Sequence, residues 1–303
     1  MLAQNVSDYS RITKEEWKNG LYIQPKLDGV RCLIQYDEIG INGIHGIVKA
    51  YSRTGKEWLN IDHILEHLVP FFEEYPNIVL DGELYNHDLK KDFEKIISLV
   101  RKTKPTDEDR LESEMLVQFH CYDFIPCPSL TISEYSTFEF RNHFIQDQFG
   151  WHGKARSIAT FMPKIKTLPC ELVFNTEEVE VQHDLQKAAG YEGSILRKNA
   201  LYECKRSWTL MKIKDFSDAE ATIIDFVAGK GKRTGTLGKF VMRDDEGVEF
   251  GCPPGKGYNY KDMKDILDNV QDYIGTRATF TYFERTKAGS YRHPLFKTIR
   301  DYE

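Results

Sequence analysis

Apolar and polar positions alternate in short runs along the first two thirds of the chain, and this pattern predicts a mixture of strands and helices. Strands are predicted at Leu21–Pro25, Val30–Tyr36, Ala50–Ser52, Asn77–Leu84, Leu116–Phe124, Glu171–Val173, Ser194–Arg197 and Thr209–Lys214. Helices are predicted at Ile61–Tyr75, Asp92–Arg101, Ser133–Gln148 and Thr176–Ala189, the last closed by Gly190. Residues 1–20 are expected to be a lead-in with a helix near Lys14–Lys18, and Thr103–Glu114 a polar loop.

The pattern changes near Asp215–Asp218, where short strands separated by glycine-rich turns begin. They are predicted at Ala221–Val227, Phe240–Arg243, Val248–Cys252, Ala278–Glu284 and Phe296–Ile299, with one helix at Asn259–Tyr273. Five short strands and a helix in about 85 residues are typical of a small β-barrel, and the OB-fold is the natural candidate. The sequence therefore predicts an α+β protein with domains at 1–215 and 216–303.

Composition narrows the class of protein. Of the 303 residues, 41% are hydrophobic and 29% charged, as in an ordinary globular protein. The sequence has neither an apolar run of membrane-spanning length nor an apolar signal core at its start. The six cysteines form no CxxC pair, which favours free thiols in a reducing cytosol. The net charge of the chain is −6. From Ala219 onward there are 14 Lys/Arg and 13 Asp/Glu residues, so the C-terminal part is less acidic than the rest.

The segment QPKLDGVR, residues 24–31, carries the most distinctive chemistry. Lys26 and Asp28 are two residues apart, so on an extended strand they share a face. Gly29 permits a tight turn, after which Arg31 can return toward the same place. A lysine nucleophile is assisted by neighbouring cations, which also hold phosphate. The same pattern fits the end of a surface strand with chance charges, so this segment alone leaves both interpretations open.

Two further segments place carboxylates beside glycines. In LDGEL, residues 80–84, Asp81 and Glu83 share a strand face and are suited to a divalent metal or a ribose hydroxyl. In YEGSILRK, residues 191–198, Glu192 precedes an apolar strand and is a second candidate metal ligand. For LDGEL taken alone, a strand that ends in a turn is the favoured interpretation.

A fourth segment, LMKIK, alternates lysines with apolar residues at 210–214. Lys212 and Lys214 are predicted to share one face, and Met211 and Ile213 to face the core. Two cations on one face repel each other unless they share an anion, and phosphate is the obvious one. For this segment taken alone, an amphipathic edge strand with lysines as gatekeepers is the favoured interpretation.

Together, in this order and at this spacing, the four segments resemble the motifs of the covalent nucleotidyltransferase superfamily, which comprises DNA ligases, RNA ligases and mRNA capping enzymes. The resemblance is closest to small ATP-dependent DNA ligases of the bacteriophage and viral type. It extends from about residue 20 to the end of the chain. It implies a nucleotidyltransferase (ATP-grasp-like ligase) domain with antiparallel sheets, followed by a C-terminal OB-fold β-barrel.

The resemblance also implies roles in holding the nucleotide. Lys26 resembles the lysine that attacks the α-phosphate of ATP to give lysyl-AMP, and Arg31 the arginine of the same motif. Glu83 is similar to the carboxylate that contacts the ribose, and Tyr122 to the aromatic residue that lies against adenine. Gln24 is a further nucleotide-binding candidate in the first segment.

Other roles concern phosphate and metal. Arg53 resembles the arginine that binds phosphate at the nick, and Glu192 the metal-binding glutamate, with Glu83 as a second carboxylate for the metal. Lys212 and Lys214 resemble the pair that grips the α-phosphate. The catalytic candidates are thus Lys26, Asp28, Arg31, Lys212 and Lys214, and the implied cofactors are ATP and Mg²⁺.

The C-terminal part carries its own resemblance to the ligase OB domain, in residues 219–224, 229–239 and 289–296. The glycine- and lysine-rich residues 229–239 do not fit a Walker phosphate loop. Their lysines are expected to touch DNA phosphates, although a solvated turn is the alternative. Arg300 is expected to orient the pyrophosphate of ATP, but no basic residue follows Asp301, as one does in larger ligases.

The resemblance leads to one main hypothesis and two alternatives. The main one is an ATP-dependent ligase that seals nicks in duplex DNA. It is expected to be a monomer without an obligate protein partner, outside membranes, in the cytoplasm of a bacterium or infected host. The first alternative is an RNA ligase or a capping-type guanylyltransferase that uses GTP. The second is a non-catalytic OB-fold nucleic-acid binder with a degenerate transferase domain.

Overall fold

The computed structural model describes residues 1–6, 9–37, 46–90, 92–126, 137–150, 164–255, 257–286 and 289–300. The chain divides into two compact units, Met1–Ile213 and Lys214–Glu303. Among the described residues, no helix is long and apolar enough to cross a membrane.

Strands and helices are interspersed along the first unit. Its strands are β1 (Leu2–Asn5), β2 (Leu21–Lys26), β3 (Val30–Asp37), β4 (Ile47–Tyr51), β5 (Val79–Tyr85), β6 (Gln118–Ile125), β7 (Ile165–Thr167), β8 (Glu171–Val173), β9 (Gly193–Arg197) and β10 (Arg206–Ile213). Its helices are α1 (Lys14–Asn19), α2 (Asp62–Glu74), α3 (Phe93–Val100), α4 (Asp107–Leu116), α5 (Phe138–Phe149) and α6 (Thr176–Ala188). All eight strands predicted in this part of the sequence are confirmed, with ends displaced by up to three residues.

Two five-stranded sheets are built from these strands, in the orders β1-β10-β9-β2-β8 and β4-β3-β5-β6-β7. The predicted antiparallel pairing holds for the inner strands. At two sheet edges the pairing is parallel, between β1 and β10 and between β6 and β7. Each sheet has its own apolar core, which includes Ile23, Leu196 and Met211 in the first and Ile34, Leu80 and Phe119 in the second.

Two expectations for this unit are wrong. Residues 2–5 are an edge strand, β1, rather than a lead-in. The stretch expected to be a loop contains α4, which begins with a capping box in which Thr106 and Asp109 accept each other's backbone N–H groups. Ser113 of α4 is buried and donates to the carbonyl of Asn60. The polar composition hid this helix because its stability comes from the cap and from contacts distant in sequence.

In the part that the structure describes, the second unit has one α-helix beside a five-stranded antiparallel sheet. Its elements are β11 (Ser217–Ala228), β12 (Leu237–Arg243), β13 (Glu249–Cys252), α7 (Tyr260–Asp268), β14 (Arg277–Tyr282), β15 (Glu284–Arg285), β16 (Tyr291–Arg292) and β17 (Leu295–Ile299). The order is β13-β12-β11-β14-β17, with β15 and β16 as a separate hairpin. Phe240, Phe280 and Phe296 lie in its core.

The two edges of this sheet approach each other just beyond β13. The backbone N–H of Phe296 donates to the carbonyl of Pro253, and the N–H of Gly255 donates to the carbonyl of Phe296, both at 2.9 Å. Among the described residues, this single bridge is the only pairing between the β13 edge and the β17 edge of the sheet. The expected strands and helix are therefore present, but continuous pairing does not close them into a barrel.

Candidate active site

A cavity opens in the first unit where its two sheets face each other. Strands β1, β2, β9 and β10 contribute from one sheet, and β3, β5 and β6 from the other. The residues that line it are Met1, Leu2, Ala3, Gln24, Pro25, Lys26, Leu27, Arg31, Asp81, Glu83, Tyr122, Leu168, Ile195, Arg197 and Leu210. Five of the candidates, Gln24, Lys26, Arg31, Glu83 and Tyr122, are thus brought to one place.

Lys26 is the last residue of β2 and meets Glu192 at the rim of this cavity. The ammonium of Lys26 donates to the carboxylate of Glu192 and to the carbonyl of Leu27, the latter at 3.3 Å. The backbone N–H of Glu192 in turn donates to the carbonyl of Lys26 at 3.1 Å. The Lys26 side chain is 20% exposed and that of Glu192 only 4%. The lysine is therefore accessible from the cavity while its partner is enclosed.

Arg31 lies on β3 and is held by the neighbouring strand. Its guanidinium donates to both carboxylate oxygens of Asp81, at 2.9 and 2.7 Å, in a bidentate pair. It also donates to the hydroxyl of Tyr202 at 3.1 Å and to the carbonyl of Met1. Asp81 is buried. The pair fixes the guanidinium plane at the cavity wall.

Glu83 and Tyr122 face each other across the same wall. The tyrosine hydroxyl donates to the Glu83 carboxylate at 3.5 Å. Burial, reinforced by the nearby carboxylates of Asp81 and Glu192, raises the pKa of Glu83 to about 8, although Lys26 and Arg31 oppose the shift. Glu83 is therefore largely a neutral carboxylic acid at pH 7, and can both donate and accept a hydrogen bond.

Gly29 allows the turn between β2 and β3 to lie close against β5. A Cβ added at residue 29 would lie 2.4 Å from Cγ of Glu83 and 2.7 Å from the carbonyl oxygen of Leu84. Any side chain at residue 29 would push β5 away from the turn that joins β2 to β3. The glycine in the first segment is thus explained by contact with the second segment.

Gln24 is the one cavity-lining side chain in the described part of the chain whose buried amide lacks a hydrogen-bond partner. It is 1% exposed, and neither its Oε1 nor its Nε2 is bonded. A buried amide left unpaired costs free energy. The cavity therefore presents one donor and one acceptor side by side, which suits a flat polar ligand edge.

An ion-pair cluster behind Tyr122 was missed by the sequence analysis. Asp123, buried, accepts from Arg141 at 2.6 Å and from Arg197 at 2.7 Å. Burial alone would raise the pKa of Asp123, but the two guanidinium groups lower it below its usual value. The guanidinium of Arg197 also lies 5.5 Å from the ring centroid of Tyr122, as in a cation–π contact. The signal available in the sequence was a lone aspartate inside the apolar run around Phe124.

Besides Glu192, three candidates of this unit lie outside the lining described above. Asp28 is in the turn between β2 and β3, and Arg53 is on an exposed turn after β4. Lys212 is on β10, two residues beyond Leu210, so it shares the face that Leu210 presents to the cavity. Met211 lies in the core of the first sheet, as predicted, and Ile213 packs against it.

Lys214 and Arg300 belong to the second unit. Strand β10 ends at Ile213, and the ammonium of Lys214 lies 4.5 Å from the ring centroid of Phe283. Arg300 pairs with Glu220, and its backbone N–H donates to the carbonyl of Arg277 at 2.8 Å. Asp301 is outside the described residues.

A basic loop follows β11 in the second unit. We use this name for residues 229–239, the last three of which begin β12; Lys230, Lys232, Arg233 and Lys239 are exposed. Within the described chain, no ion pair joins these four cations to a carboxylate. Tyr260, from α7, donates its hydroxyl to the backbone carbonyl of Lys232 at 2.7 Å and so ties the loop to the helix. The loop thus offers a group of cations on a braced backbone.

Comparisons with known families cover both units. A family model described as "ATP dependent DNA ligase domain" matches residues 1–214. A second model, described as "DNA ligase OB-like domain", matches residues 228–300.

Similar proteins and structures include viral and bacteriophage ligases. The DNA ligase of Enterobacteria phage T4 is 24% identical in an alignment of 296 positions, which covers 84% of this chain and 58% of that protein. The DNA ligase of African swine fever virus (strain Badajoz 1971 Vero-adapted) is 28% identical in an alignment of 226 positions, which covers 71% of this chain and 46% of the relative. The chain spans about half the length of these curated relatives.

One solved structure comes from a structure–function study of Lig E DNA ligases that bind DNA with a minimal scaffold. It matches with a TM-score of 0.71 at 23% identity, covering 99% of this chain and 98% of that chain. At this identity, the likeness shows the shared fold.

Proposed function

This chain belongs to the ATP-dependent DNA ligase family, and from that premise we propose that it seals nicks in duplex DNA through a lysyl-AMP intermediate on Lys26. The observation that carries the proposal is the contact of the Lys26 ammonium with Glu192 at a cavity that also holds Gln24, Glu83 and Tyr122. In this proposal, residues 1–215 form the adenylylation domain and 216–303 the OB domain.

The cavity residues fit a nucleotide, which the family requires as ATP. The unpaired amide of Gln24 matches the donor and acceptor of the adenine edge, as glutamine does when it recognises adenine in nucleic acids. Tyr122 supplies an aromatic face for the base. Glu83, as a neutral acid that donates and accepts, suits a ribose hydroxyl. Arg31, fixed by Asp81, presents its positive charge at the wall.

Glu192 and Glu83, the latter once it has released its proton, are also proposed to bind a divalent cation such as Mg²⁺. No group of three or more acidic, histidine or cysteine side chains suited to a metal occurs among the described residues. Mg²⁺ commonly uses one or two carboxylates together with substrate phosphates, so these two side chains suffice. Bound there, the ion would neutralise charge on the phosphates.

Three group transfers make up the proposed reaction. The amine of Lys26, once deprotonated, attacks the α-phosphorus, a P–N bond forms and pyrophosphate leaves. The adenylyl group then passes from Lys26 to the 5′-phosphate at the nick, where a P–O bond replaces the P–N bond. The 3′-hydroxyl attacks that phosphate last, and AMP leaves. Asp28, Lys212 and Lys214 are proposed to assist, the two lysines by stabilising negative charge.

DNA binding is assigned to cations outside the cavity. The basic loop fits the phosphate backbone, because counterion release rewards clustered lysine and arginine side chains. Arg53 is proposed to bind phosphate at the nick, and Arg300 to orient the pyrophosphate of ATP. The enzyme is proposed to act as a monomer in the cytoplasm of a bacterium or an infected host, and sedimentation of the purified protein would test the monomer.

Transfer of label from nucleotide to protein tests the proposal. The protein is incubated with α-labelled ATP or GTP and Mg²⁺, then offered nicked DNA, nicked RNA and RNA ends. Label from ATP that disappears on nicked DNA as the nick is sealed is the expected result. Label from GTP alone would indicate a capping-type enzyme. No label from either nucleotide would contradict both enzymes and favour the non-catalytic nucleic-acid binder.

Lys26→Ala is the matched control for the nucleophile. It should take up no label while its thermal unfolding stays cooperative. Label that survives in this variant would refute Lys26 as the attacking residue.

A further inference from the structure

The segment that carries Glu192 is tied at both ends to a single glutamine of α6. The backbone N–H of Tyr191 donates to the carbonyl of Gln186 at 3.1 Å. The hydroxyl of Ser194 donates to the side-chain Oε1 of Gln186 at 2.6 Å. Tyr191 and Ser194 bracket Glu192 and Gly193, so Gln186 restrains the whole segment of four residues.

His183 completes this arrangement, one turn earlier on α6. Its Nδ1 lies 2.9 Å from the hydroxyl of Ser194. Because that hydroxyl has one hydrogen and gives it to Gln186, it accepts from the Nδ1–H of His183. Residues three apart lie on the same helix face, so His183 and Gln186 reach Ser194 together. All three side chains are buried, Ser194 completely.

The three polar side chains lie in an otherwise apolar layer on the far side of the sheet from the cavity. On β9, Ile195 and Arg197 line the cavity, whereas Leu196 packs with Val179 of α6. Ser194 therefore belongs to the face covered by the helix. Apolar contacts alone tolerate small sliding of a helix on a sheet, but hydrogen bonds are directional and costly to leave unmade when buried. The network thus sets the position of α6 on β9.

Close packing passes this restraint on to Glu192. A Cβ added at Gly193 would lie 2.3 Å from the carbonyl oxygen of Ile213 and 3.6 Å from Cε1 of His183. The backbone between Glu192 and Ser194 is therefore packed closely against the end of β10 and lies within van der Waals reach of α6. A shift of α6 would displace this backbone, and with it the contact of Glu192 with Lys26.

We propose that Gln186, Ser194 and His183 are positioning residues that hold Glu192 against Lys26 for adenylylation. The inference rests on the proposed role of Lys26 as nucleophile. None of the three is among the cavity-lining residues of the described chain, so they act through Glu192 and not on the nucleotide. A misplacement of about 1 Å can cost on the order of a hundredfold in rate, so the effect is measurable.

Single-turnover labelling of Gln186→Leu and Ser194→Ala tests the proposal. At saturating ATP and Mg²⁺ the rate constant should fall at least about tenfold, while the ATP concentration for half-maximal rate changes by less than about twofold. Leu185→Ala is the matched control, because Leu185 is on the exposed side of α6. It should label at the wild-type rate. A general loss of folding would lower the labelled fraction and leave the rate constant unchanged.

Two substitutions of His183 separate the hydrogen bond from the bulk of the ring. The amide nitrogen of asparagine can occupy the place of Nδ1, so His183→Asn should retain the rate to within about threefold. His183→Leu removes the donor, so its rate constant of labelling should fall as much as that of Gln186→Leu. Equal rates in the two His183 variants would overturn the role given to this bond.

Amide hydrogen exchange gives a test that needs no catalysis. The backbone N–H of Glu192 donates to the carbonyl of Lys26. It should exchange at least about tenfold faster in folded Ser194→Ala than in the wild type, and at the wild-type rate in Leu185→Ala. Unchanged exchange together with unchanged labelling would overturn the inference. If the wild type takes up no label, the proposed function fails, and the exchange rates still decide whether the network positions Glu192.

Discussion

Lys26 and Glu192 are joined twice, once through their side chains and once through the backbone N–H of Glu192 and the carbonyl of Lys26. They are 166 residues apart in sequence. The pairing of β2 with β9 sets Lys26 opposite Gly193, the residue after Glu192. The nucleophile and its carboxylate are therefore held together by the sheet as well as by their charges.

Because Lys26 is more exposed than Glu192, replacing the lysine should lower the free energy of unfolding more than replacing the glutamate. Lys26→Met leaves the enclosed carboxylate of Glu192 without the lysine and should destabilise the protein by about 1–3 kcal/mol. Glu192→Gln should cost less, because the Lys26 ammonium can reach water. Denaturant unfolding measures both. The double variant should recover stability relative to Lys26→Met, and additive losses would contradict this account.

Gln24→Leu should separate nucleotide binding from stability. The amide of Gln24 is buried and unbonded, so its replacement by an apolar side chain of similar size should leave the free energy of unfolding unchanged or raised. The ATP concentration for half-maximal labelling should rise roughly tenfold, since leucine cannot hydrogen-bond to the base. Unaltered ATP dependence would remove Gln24 from the nucleotide site.

Glu83→Gln should change how stability depends on pH. The pKa of Glu83 is raised from 4.5 to about 8, so the folded protein binds a proton that the unfolded chain releases. The contribution of Glu83 to stability is therefore full below pH 4.5 and is lost as the pH rises to about 8. The variant should gain stability relative to wild type across this window, as measured by thermal unfolding. A difference that does not vary with pH would show that the pKa is not raised.

Asp123→Asn should be strongly destabilising. It removes the charge that two buried guanidinium groups share, and breaking a buried ion pair from one side costs about 3–5 kcal/mol. Because the pKa of Asp123 is lowered, its stabilisation is present at neutral pH and is lost below pH 3.8. Glu112→Gln, at the exposed pair of Lys95 and Glu112, is the control and should cost at most about 1 kcal/mol. Similar losses in the two variants, measured by denaturant unfolding, would contradict this prediction.

The basic loop should contribute salt-dependent affinity for DNA. Replacing Lys230, Lys232 and Arg233 together by alanine should weaken binding of nicked duplex and lower the slope of log K against log salt by about 0.9 for each DNA phosphate that the variant no longer neutralises. Labelling of Lys26 by ATP should persist. Lys264→Ala is the control, because Lys264 is exposed on α7 and paired with Asp268. An unchanged slope in the triple variant would remove the loop from the DNA interface.

Local pattern and tertiary contact contributed differently to the fold. The strands from β2 to β10 that carry the motifs follow apolar runs or alternation bounded by turns, which is why their positions could be predicted. The helix α4 could not, because its one buried residue, Ser113, is polar and its partner Asn60 lies 53 residues away. β1 has no recognisable alternation and exists because the edge of β10 accepts it.

The sequence by itself determined the family, the candidate nucleophile Lys26 and the order of the motifs, since these depend on residue identity and short spacing. Only the tertiary structure decided which candidates meet. It joined Glu192 to Lys26 and Asp81 to Arg31, and it put Arg53 on a separate exposed turn. The reason is that a strand's period specifies which face a side chain occupies, whereas strand pairing and helix packing specify what lies opposite that face.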